Sequence, residues 1–317
     1  MTVTATPVTD HIGLEITGLS GRGRADHRGW RVRGRARGRG GGGVFGDCPN
    51  PLVCNTRARP APHPAAGGGP HDLRAALDRY GVVIYRDAHI DDDALVALSR
   101  LLGEVVVAPF GGEKAHPEVS AITRDPAKSV LAAYREGTFF WHIDGATDAV
   151  PQQATLLTAL EVAADGGGTE FANTFAAYAA LPDAERAELE TLRVVHSFAH
   201  AQSLANPDPT DRERAAWAKV PTRVHPLVWT RKNGRKSLLI GATAAQVVGM
   251  SADESRALLD RLLDWSTQPQ FALQHQWRPG DLVVWDNTGM LHRAQRYEVS
   301  SRRLMHRTTL VGEEAVA

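Results

Sequence analysis

The chain has 317 residues, and its 36 Lys and Arg residues balance its 36 Asp and Glu residues. The net charge therefore gives no argument for a nucleic-acid or membrane partner. Cysteine occurs only at Cys48 and Cys54, which excludes a disulfide scaffold and a Cys-rich zinc site. No apolar run reaches about eighteen residues and no secretion-type leader is present, so we expect a cytoplasmic protein without a membrane span.

The first 70 residues change composition abruptly. Residues 1–20 predict a short strand that belongs to the main domain, whereas residues 21–70 are rich in Arg and Gly and then in Pro, Ala and Gly. The second segment has no apolar period, so it is predicted to be disordered. Three interpretations stay open: an arm that binds nucleic acid, an insertion without chemistry, and an out-of-frame reading of a GC-rich gene. The two interpretations without chemistry are favoured, so nucleic acid is not an expected partner.

Residues 71–317 predict one domain of many short strands and few helices. Helical spacing of apolar residues predicts helices over 73–80, after Asp91 (with Leu95, Leu98, Leu101 and Leu102 inward), over 175–180 with Thr174 as cap, over 211–218, and over 252–265 after a Ser251–Glu254 capping box. Strands are predicted at 82–85, 105–108, 153–160, 169–172, 193–199, 223–229, 237–240, 271–277, 281–285 and 303–310. Residues 109–137 show little periodicity and predict a mobile cover. The pattern is typical of a mainly β protein with flanking helices (α+β), either a sandwich or a jelly roll.

The segment after this cover contains a candidate metal motif. In an extended segment alternate side chains share a face, so His142 and Asp144 point the same way. A third ligand must come from elsewhere, and His292 is the strongest candidate. Two histidines and one carboxylate on one side of a metal leave three positions open for other ligands, which suits Fe(II). His306 is a weaker candidate, since strand alternation turns it away from its neighbours Arg303 and Arg307.

Arg303 and Arg307 share one face of the last predicted strand. Two guanidinium groups directed into a cavity would be costly without anions to meet them. Arginine is also the side chain whose planar group best matches a carboxylate through two parallel hydrogen bonds. The strand therefore predicts binding of acidic ligands.

These motifs together resemble the taurine dioxygenase (TauD/TfdA) family of Fe(II)- and 2-oxoglutarate-dependent oxygenases. The resemblance runs over about residues 71–312 and rests on His142-x-Asp144, Gly166-Gly167-Gly168-Thr169, Trp285-Asp286-Asn287 with His292, and Arg303 with Arg307. It implies a double-stranded β-helix (jelly roll, cupin-like). It also implies that His142, Asp144 and His292 bind Fe(II), that Thr169 and Arg303 hold the far carboxylate of 2-oxoglutarate, and that Arg307 faces the substrate. The implied reaction uses O2, releases succinate and CO2, and hydroxylates or oxidatively cleaves the substrate.

The resemblance does not extend to taurine as the substrate. Taurine-using members place a histidine in the segment that matches residues 105–110, where this chain has Val106, Val107 and Ala108. Together with Phe139 these residues favour a more apolar pocket. We expect Arg307, Phe139 and Ala108 to contact a small, anionic and partly apolar substrate. A homo-oligomer, either a dimer or a tetramer, is the expected assembly.

Two other functions compete with this interpretation. A jelly-roll hydrolase or isomerase could use the same three ligands to hold zinc. Alternatively, the chain could be a nucleic-acid-binding protein that acts through its Arg-Gly segment and carries an inactive oxygenase core.

Overall fold

A computed structural model describes residues 4–18, 70–107, 115–129 and 131–316 of the chain. The strands are β1 (Thr4–Pro7), β2 (Leu14–Thr17), β3 (Val82–Tyr85), β4 (Ser120–Ile122), β5 (Ala154–Glu161), β6 (Thr169–Asn173), β7 (Arg193–His196), β8 (Arg223–Pro226), β9 (Val228–Thr230), β10 (Lys236–Leu238), β11 (Ala244–Val247), β12 (Ala272–His275), β13 (Leu282–Asp286), β14 (Met290–Ala294) and β15 (Leu304–Thr309). The helices are α1 (Pro70–Tyr80), α2 (Asp92–Leu102), a 3-10 helix (Ala132–Phe139), α3 (Thr174–Ala179), α4 (Asp183–Leu189), α5 (Phe198–Ala205), α6 (Asp211–Trp217) and α7 (Ala252–Ser266). The segment predicted to be disordered, 21–70, lies outside the described residues apart from Pro70.

Two sheets face each other and enclose the central core. The larger sheet has the order β1-β2-β3-β13-β5-β15-β4, and the smaller one has the order β12-β6-β14. One apolar cluster joins them; its largest buried members include Phe171, Leu273 and Met290 from the smaller sheet and Ile84, Leu157, Val283, Trp285 and Met305 from the larger. Burying each such side chain contributes about 1.5–3 kcal/mol. This packing holds the ends of β6, β14 and β15 close together.

Helices cover the outside of this sandwich. The apolar faces of α1 and α2 pack on the outer face of β3, β5 and β13, with Tyr80, Leu95 and Val284 in one cluster. Helix α7 packs through Leu259 and Leu262 onto a cluster that includes residues of β7, β9, β10 and β11. No helix of the described residues is both long and apolar enough to cross a membrane.

Several helix ends follow from local sequence, as predicted. The Asp91 side chain accepts a hydrogen bond from the Ala94 N–H at the start of α2. Ser251 and Glu254 form both bonds of a capping box at the start of α7. Gly81 ends α1 with φ of +70°, a conformation that glycine adopts without steric cost.

Other local predictions were wrong, because contacts between distant parts of the chain decide them. Asn173, and not Thr174, caps α3, because the Thr174 hydroxyl donates instead to the Gly289 carbonyl. Leu101 is 58% exposed, since the packed stripe of α2 runs through its neighbours in the helix and leaves this residue at the edge. The strand predicted over 193–199 ends at His196, and α5 begins at Phe198.

The predicted cover at 109–137 also contains regular structure. Strand β4 pairs with β15 at the edge of the larger sheet, and the 3-10 helix follows it. The predicted strand at 105–108 forms one bridge, between Val105 and Leu310. Ala108 lies outside the described residues. Strand β4 has no periodic apolar signal of its own. Its pairing with β15, which is distant in sequence, orders it.

Candidate active site

His142 and His292 lie opposite each other in an antiparallel bridge. The His142 N–H donates to the His292 carbonyl at 3.0 Å, and the His292 N–H donates to the His142 carbonyl at 2.9 Å. The two imidazole rings therefore project on the same side, with centroids 4.2 Å apart. One histidine comes from β14 and the other from the extended segment after the 3-10 helix, so the fold unites residues far apart in sequence.

Asp144 completes a group of three side chains. Its carboxylate oxygens lie 3.8 Å from Nε2 of His142 and 3.7 Å from Nε2 of His292. The Nδ1 atoms of the two rings face the carbonyls of Phe140 at 2.8 Å and Met290 at 3.3 Å. Donation from Nδ1 to these carbonyls leaves each Nε2 lone pair directed at the centre of the group. One donor atom from each residue lies within 4.8 Å of the others.

The charges of this group suit a metal site. Burial alone would raise the pKa of Asp144, but the nearby Arg307 and the two histidines outweigh it and lower the pKa to about 2. Burial and the neighbouring His142 lower the pKa of His292 to about 3. At neutral pH the group therefore offers a carboxylate and a neutral imidazole, which are the forms that bind metal. Two imidazole nitrogens and one carboxylate oxygen from one side fit an octahedral ion such as Fe(II).

A cavity beside these three residues contains the other polar residues singled out from the sequence. His142, His292, Thr169, Arg303 and Arg307 all line it, together with apolar groups from both sheets, among them Ile122, Leu157 and Trp285. Thr169 is at the start of β6, whereas Arg307 is in β15 and Arg303 directly precedes that strand. The inner faces of the two sheets thus bring these side chains together.

The glycine turn before β6 positions Arg303. Gly166 and Gly167 have φ of +69° and +68°, and a Cβ on Gly166 would lie 2.1 Å from the Arg296 carbonyl oxygen. This tight turn presents the Gly167 carbonyl, which accepts a hydrogen bond from Arg303 Nε at 3.1 Å. The Arg303 side chain is held in one place as a result, with the residue only 3% exposed.

A tryptophan orients Thr169. The indole Nε1–H of Trp277 donates to Thr169 Oγ1 at 2.9 Å. That bond occupies an acceptor position of the hydroxyl, so the hydroxyl proton is free to be donated into the cavity. Thr169 can therefore donate a hydrogen bond to an acidic ligand beside Arg303.

Of the three predicted substrate contacts, Arg307 is the one that the described residues place in the lining of the cavity. Arg307 Nη1 lies 3.5 Å from Asp144 Oδ2, which places this guanidinium beside the metal group. Phe139 is not one of the described residues that line the cavity; it packs edge-on against Tyr297, a lining residue, with centroids 6.2 Å apart. Ala108 is outside the described residues.

Sequence reasoning missed three residues of this cavity and its border. Arg135 lines the cavity and is only 8% exposed, Tyr297 lies over the Arg303 guanidinium at 5.1 Å, and Trp277 bonds Thr169. Nothing in the local sequence distinguishes Arg135 from a surface arginine. Trp277 was expected only as a strand residue. Alternation along the strand predicted over 271–277 could have suggested that Trp277 shares a face with His275.

Comparison with known proteins identifies the family. The family model described as "Taurine catabolism dioxygenase TauD, TfdA family" matches residues 60–309. The alpha-ketoglutarate-dependent 2,4-dichlorophenoxyacetate dioxygenase of Cupriavidus pinatubonensis is 35% identical over 282 residues, covering 80% of this chain and 97% of that protein. The chain belongs to the TauD/TfdA family. It is a 2-oxoglutarate-dependent dioxygenase.

Two further TauD/TfdA relatives extend the comparison. The alpha-ketoglutarate-dependent sulfate ester dioxygenase of Pseudomonas putida is 30% identical over 259 residues, covering 77% of this chain and 81% of the relative. The crystal structure of AAD-2 in complex with Mn(II) and N-oxalylglycine superposes with a TM-score of 0.71 at 28% identity, covering 100% of both chains. The predicted jelly-roll fold is thus confirmed, and the alternative of a zinc hydrolase or isomerase is not favoured. The domain boundaries at residues 20 and 70 stay predictions.

Proposed function

We propose that His142, Asp144 and His292 hold Fe(II) in this TauD/TfdA dioxygenase. The proposal is supported by the converging donor atoms, by the buried carboxylate whose pKa is lowered to about 2, and by the backbone acceptors that orient both imidazoles. Fe(II) held here would supply the activation of O2 that couples conversion of 2-oxoglutarate to succinate and CO2 with oxidation of the substrate. The protein's own part is placement of the ligands and exclusion of water.

Arg303 and Thr169 would bind the far carboxylate of 2-oxoglutarate. Arg303 is buried and forms no ion pair with a carboxylate of residues 4–18, 70–107, 115–129 or 131–316. A buried cation without an anion is costly, so a ligand carboxylate at this position would relieve the cost. The guanidinium would donate to this carboxylate, and the Thr169 hydroxyl would donate a further hydrogen bond.

Arg307 would bind an acidic group of the substrate next to the metal. Its distance of 3.5 Å from Asp144 keeps the bound group close to the reacting centre. Ile122, Leu157 and Tyr297 add apolar surface to the same cavity. Relatives whose names specify 2,4-dichlorophenoxyacetate and sulfate esters fit an anionic, partly apolar substrate. Hydroxylation or oxidative cleavage of such an acid is the proposed reaction.

The other predicted substrate contacts keep that role as proposals. Ala108 and Phe139 would contact the substrate, and Phe139 would in addition support the ring of Tyr297, against which it packs. A homo-oligomeric assembly and a cytoplasmic location also stay predictions. Light scattering coupled to size-exclusion chromatography would measure the assembly.

The observation that carries the proposal is the convergence of His142, Asp144 and His292 beside the cavity that also contains Thr169 and Arg303. The test is an anaerobic visible spectrum of the protein with Fe(II) and 2-oxoglutarate, which should show a weak metal-to-ligand charge-transfer band. Zn(II) has a filled d shell and serves as the negative control. Absence of the band with Fe(II) in folded protein would refute the proposed chelate. Succinate release would then rank candidate acids as substrates.

A further inference from the structure

The cavity of the proposed active site has an excess of positive charge. Arg135, Arg303 and Arg307 line it together, and no acidic side chain of the described residues does so. Asp144 does not line the cavity, but its Oδ2 lies 3.5 Å from Nη1 of Arg307. Two of these guanidinium groups are buried and the Arg307 side chain is 29% exposed, so together they need anions to offset their desolvation.

The cosubstrate and metal do not balance this charge. The three guanidinium groups and a divalent metal would carry five positive charges. Asp144 and the two carboxylates of 2-oxoglutarate would carry three negative charges, and His142 and His292 add no charge because histidine binds a metal as the neutral imidazole. Two positive charges remain for the substrate to neutralise. A substrate with one acidic group would leave one guanidinium buried without an anion.

Arg135 is the one of these three arginines to which no anionic partner has been assigned. Its Nη2 donates to the Ala121 carbonyl at 3.2 Å, and its Nε is buried without an acceptor in the described part of the chain. Arg303 has contacts to Gly167 and Tyr297, and Arg307 faces Asp144. Burial and the positive charge of Arg307 lower the pKa of Arg135 to about 10, so it remains a cation at neutral pH.

The 3-10 helix holds Arg135 in this inward position. The next residue, Glu136, bonds outward to Arg124 and lies 3.4 Å from Arg296 Nη1. The Thr138 hydroxyl donates to the Arg135 carbonyl at 2.6 Å. These contacts fix the short helix from outside while its arginine lines the cavity. Arg135 is therefore positioned before any ligand binds, which lowers the entropy cost of recognising an anion.

We propose that Arg135 is a substrate-binding residue that selects a dianionic substrate, with one negative charge at Arg307 and the second at Arg135. The proposal rests on the proposed function, since it assumes 2-oxoglutarate at Arg303 and a divalent metal at the three ligands. Two ligand classes supply this chemistry. One has two separate acidic groups on an apolar body, and the other has a single group with two charges, such as a phosphate monoester.

Calorimetric titration of the protein loaded with Mn(II) and N-oxalylglycine would test this without turnover. The probes are phenoxyacetate, its 2-, 3- and 4-carboxy derivatives, and phenyl phosphate. At least one dianionic probe should bind about 30-fold or more tightly than phenoxyacetate, which corresponds to about 2 kcal/mol, the lower end for one buried charged pair. Preference for the carboxy derivatives indicates two separate groups, and preference for phenyl phosphate indicates one doubly charged group.

Variants assign the preference to Arg135. Arg135→Gln should reduce the ratio of dianion affinity to phenoxyacetate affinity to about threefold or less, while the affinity for phenoxyacetate itself changes little. Arg135→Lys should retain part of the preference. Arg302→Gln is the matched control, because it removes a cation whose side chain is 82% exposed and paired with Glu161. Equal weakening of all probes by Arg135→Gln, or no dianion preference in the unaltered protein, would overturn the inference.

The same titrations separate this inference from the proposed function. If Mn(II) and N-oxalylglycine bind normally but no dianionic probe binds more tightly than phenoxyacetate, only the role of Arg135 is refuted. Weaker N-oxalylglycine binding in Arg135→Gln, with an unchanged probe preference, would reassign Arg135 to the cosubstrate and overturn the inference. Failure of the unaltered protein to bind Mn(II) and N-oxalylglycine would overturn the proposed function and this inference together.

Discussion

Replacing Arg303 by alanine tests the proposed cosubstrate site most directly. Arg303 is 3% exposed, and the Gly167 carbonyl and the Tyr297 ring hold its guanidinium in place. Its removal would leave the ligand carboxylate without the guanidinium proposed to bind it, and of the two residues assigned to that carboxylate only Thr169 would remain. Truncating one side of a buried charged pair costs about 2–5 kcal/mol. Because 1.4 kcal/mol is a factor of ten, the affinity for 2-oxoglutarate should fall by about 30-fold to a few thousandfold.

Two assays would measure this loss. Succinate release gives the KM for 2-oxoglutarate, and calorimetry with Mn(II) gives the Kd of N-oxalylglycine. Arg302→Ala is the control, since its side chain is 82% exposed and its bond to Glu161 is on the surface; we expect a change of about twofold at most. Arg303→Lys should recover only part of the affinity, because an ammonium cannot make two parallel bonds. If folded Arg303→Ala bound both ligands within about threefold of the unaltered protein, the assignment would be wrong.

Three further predictions address the metal, the cosubstrate and stability. Asp144→Ala should remove most bound Fe(II), because it deletes the one anionic ligand; full metal content after dialysis would contradict the site. Thr169→Val should raise the KM for 2-oxoglutarate about 10- to 100-fold, the effect of losing a hydrogen bond to a charged group, and Trp277→Phe should raise it less, since it removes only the bond that orients the hydroxyl. Burial and the adjacent His225 lower the pKa of His196 from 6.5 to about 3. The unfolded chain therefore binds a proton that the folded protein does not, and stability should fall as pH drops from about 6.5 towards 3, by up to ~1.4 kcal/mol per pH unit. Urea unfolding between pH 7 and 4 measures this slope, which His196→Gln should flatten; an equal slope in the variant would contradict the assignment.

Much of the candidate site could be predicted from local spacing. A separation of two residues along an extended segment puts His142 and Asp144 on one face, whatever the rest of the chain does. The same rule separates His306 from Arg303 and Arg307: His306 Nδ1 lies 2.7 Å from Asp92 Oδ1 of α2, on the outer side of the sheet. Capping side chains likewise fixed the starts of α2 and α7.

The sequence by itself thus determined which residue types share a face and where many elements begin, because backbone geometry repeats over a few residues. Only the tertiary structure decided that His142 pairs with His292, that Trp277 orients Thr169, and that Arg135 turns inward while Glu136 turns outward. These relations join residues on different strands and loops. Their geometry depends on how the two sheets pack and on the glycine turn before β6, and neither leaves a periodic signal in the local sequence.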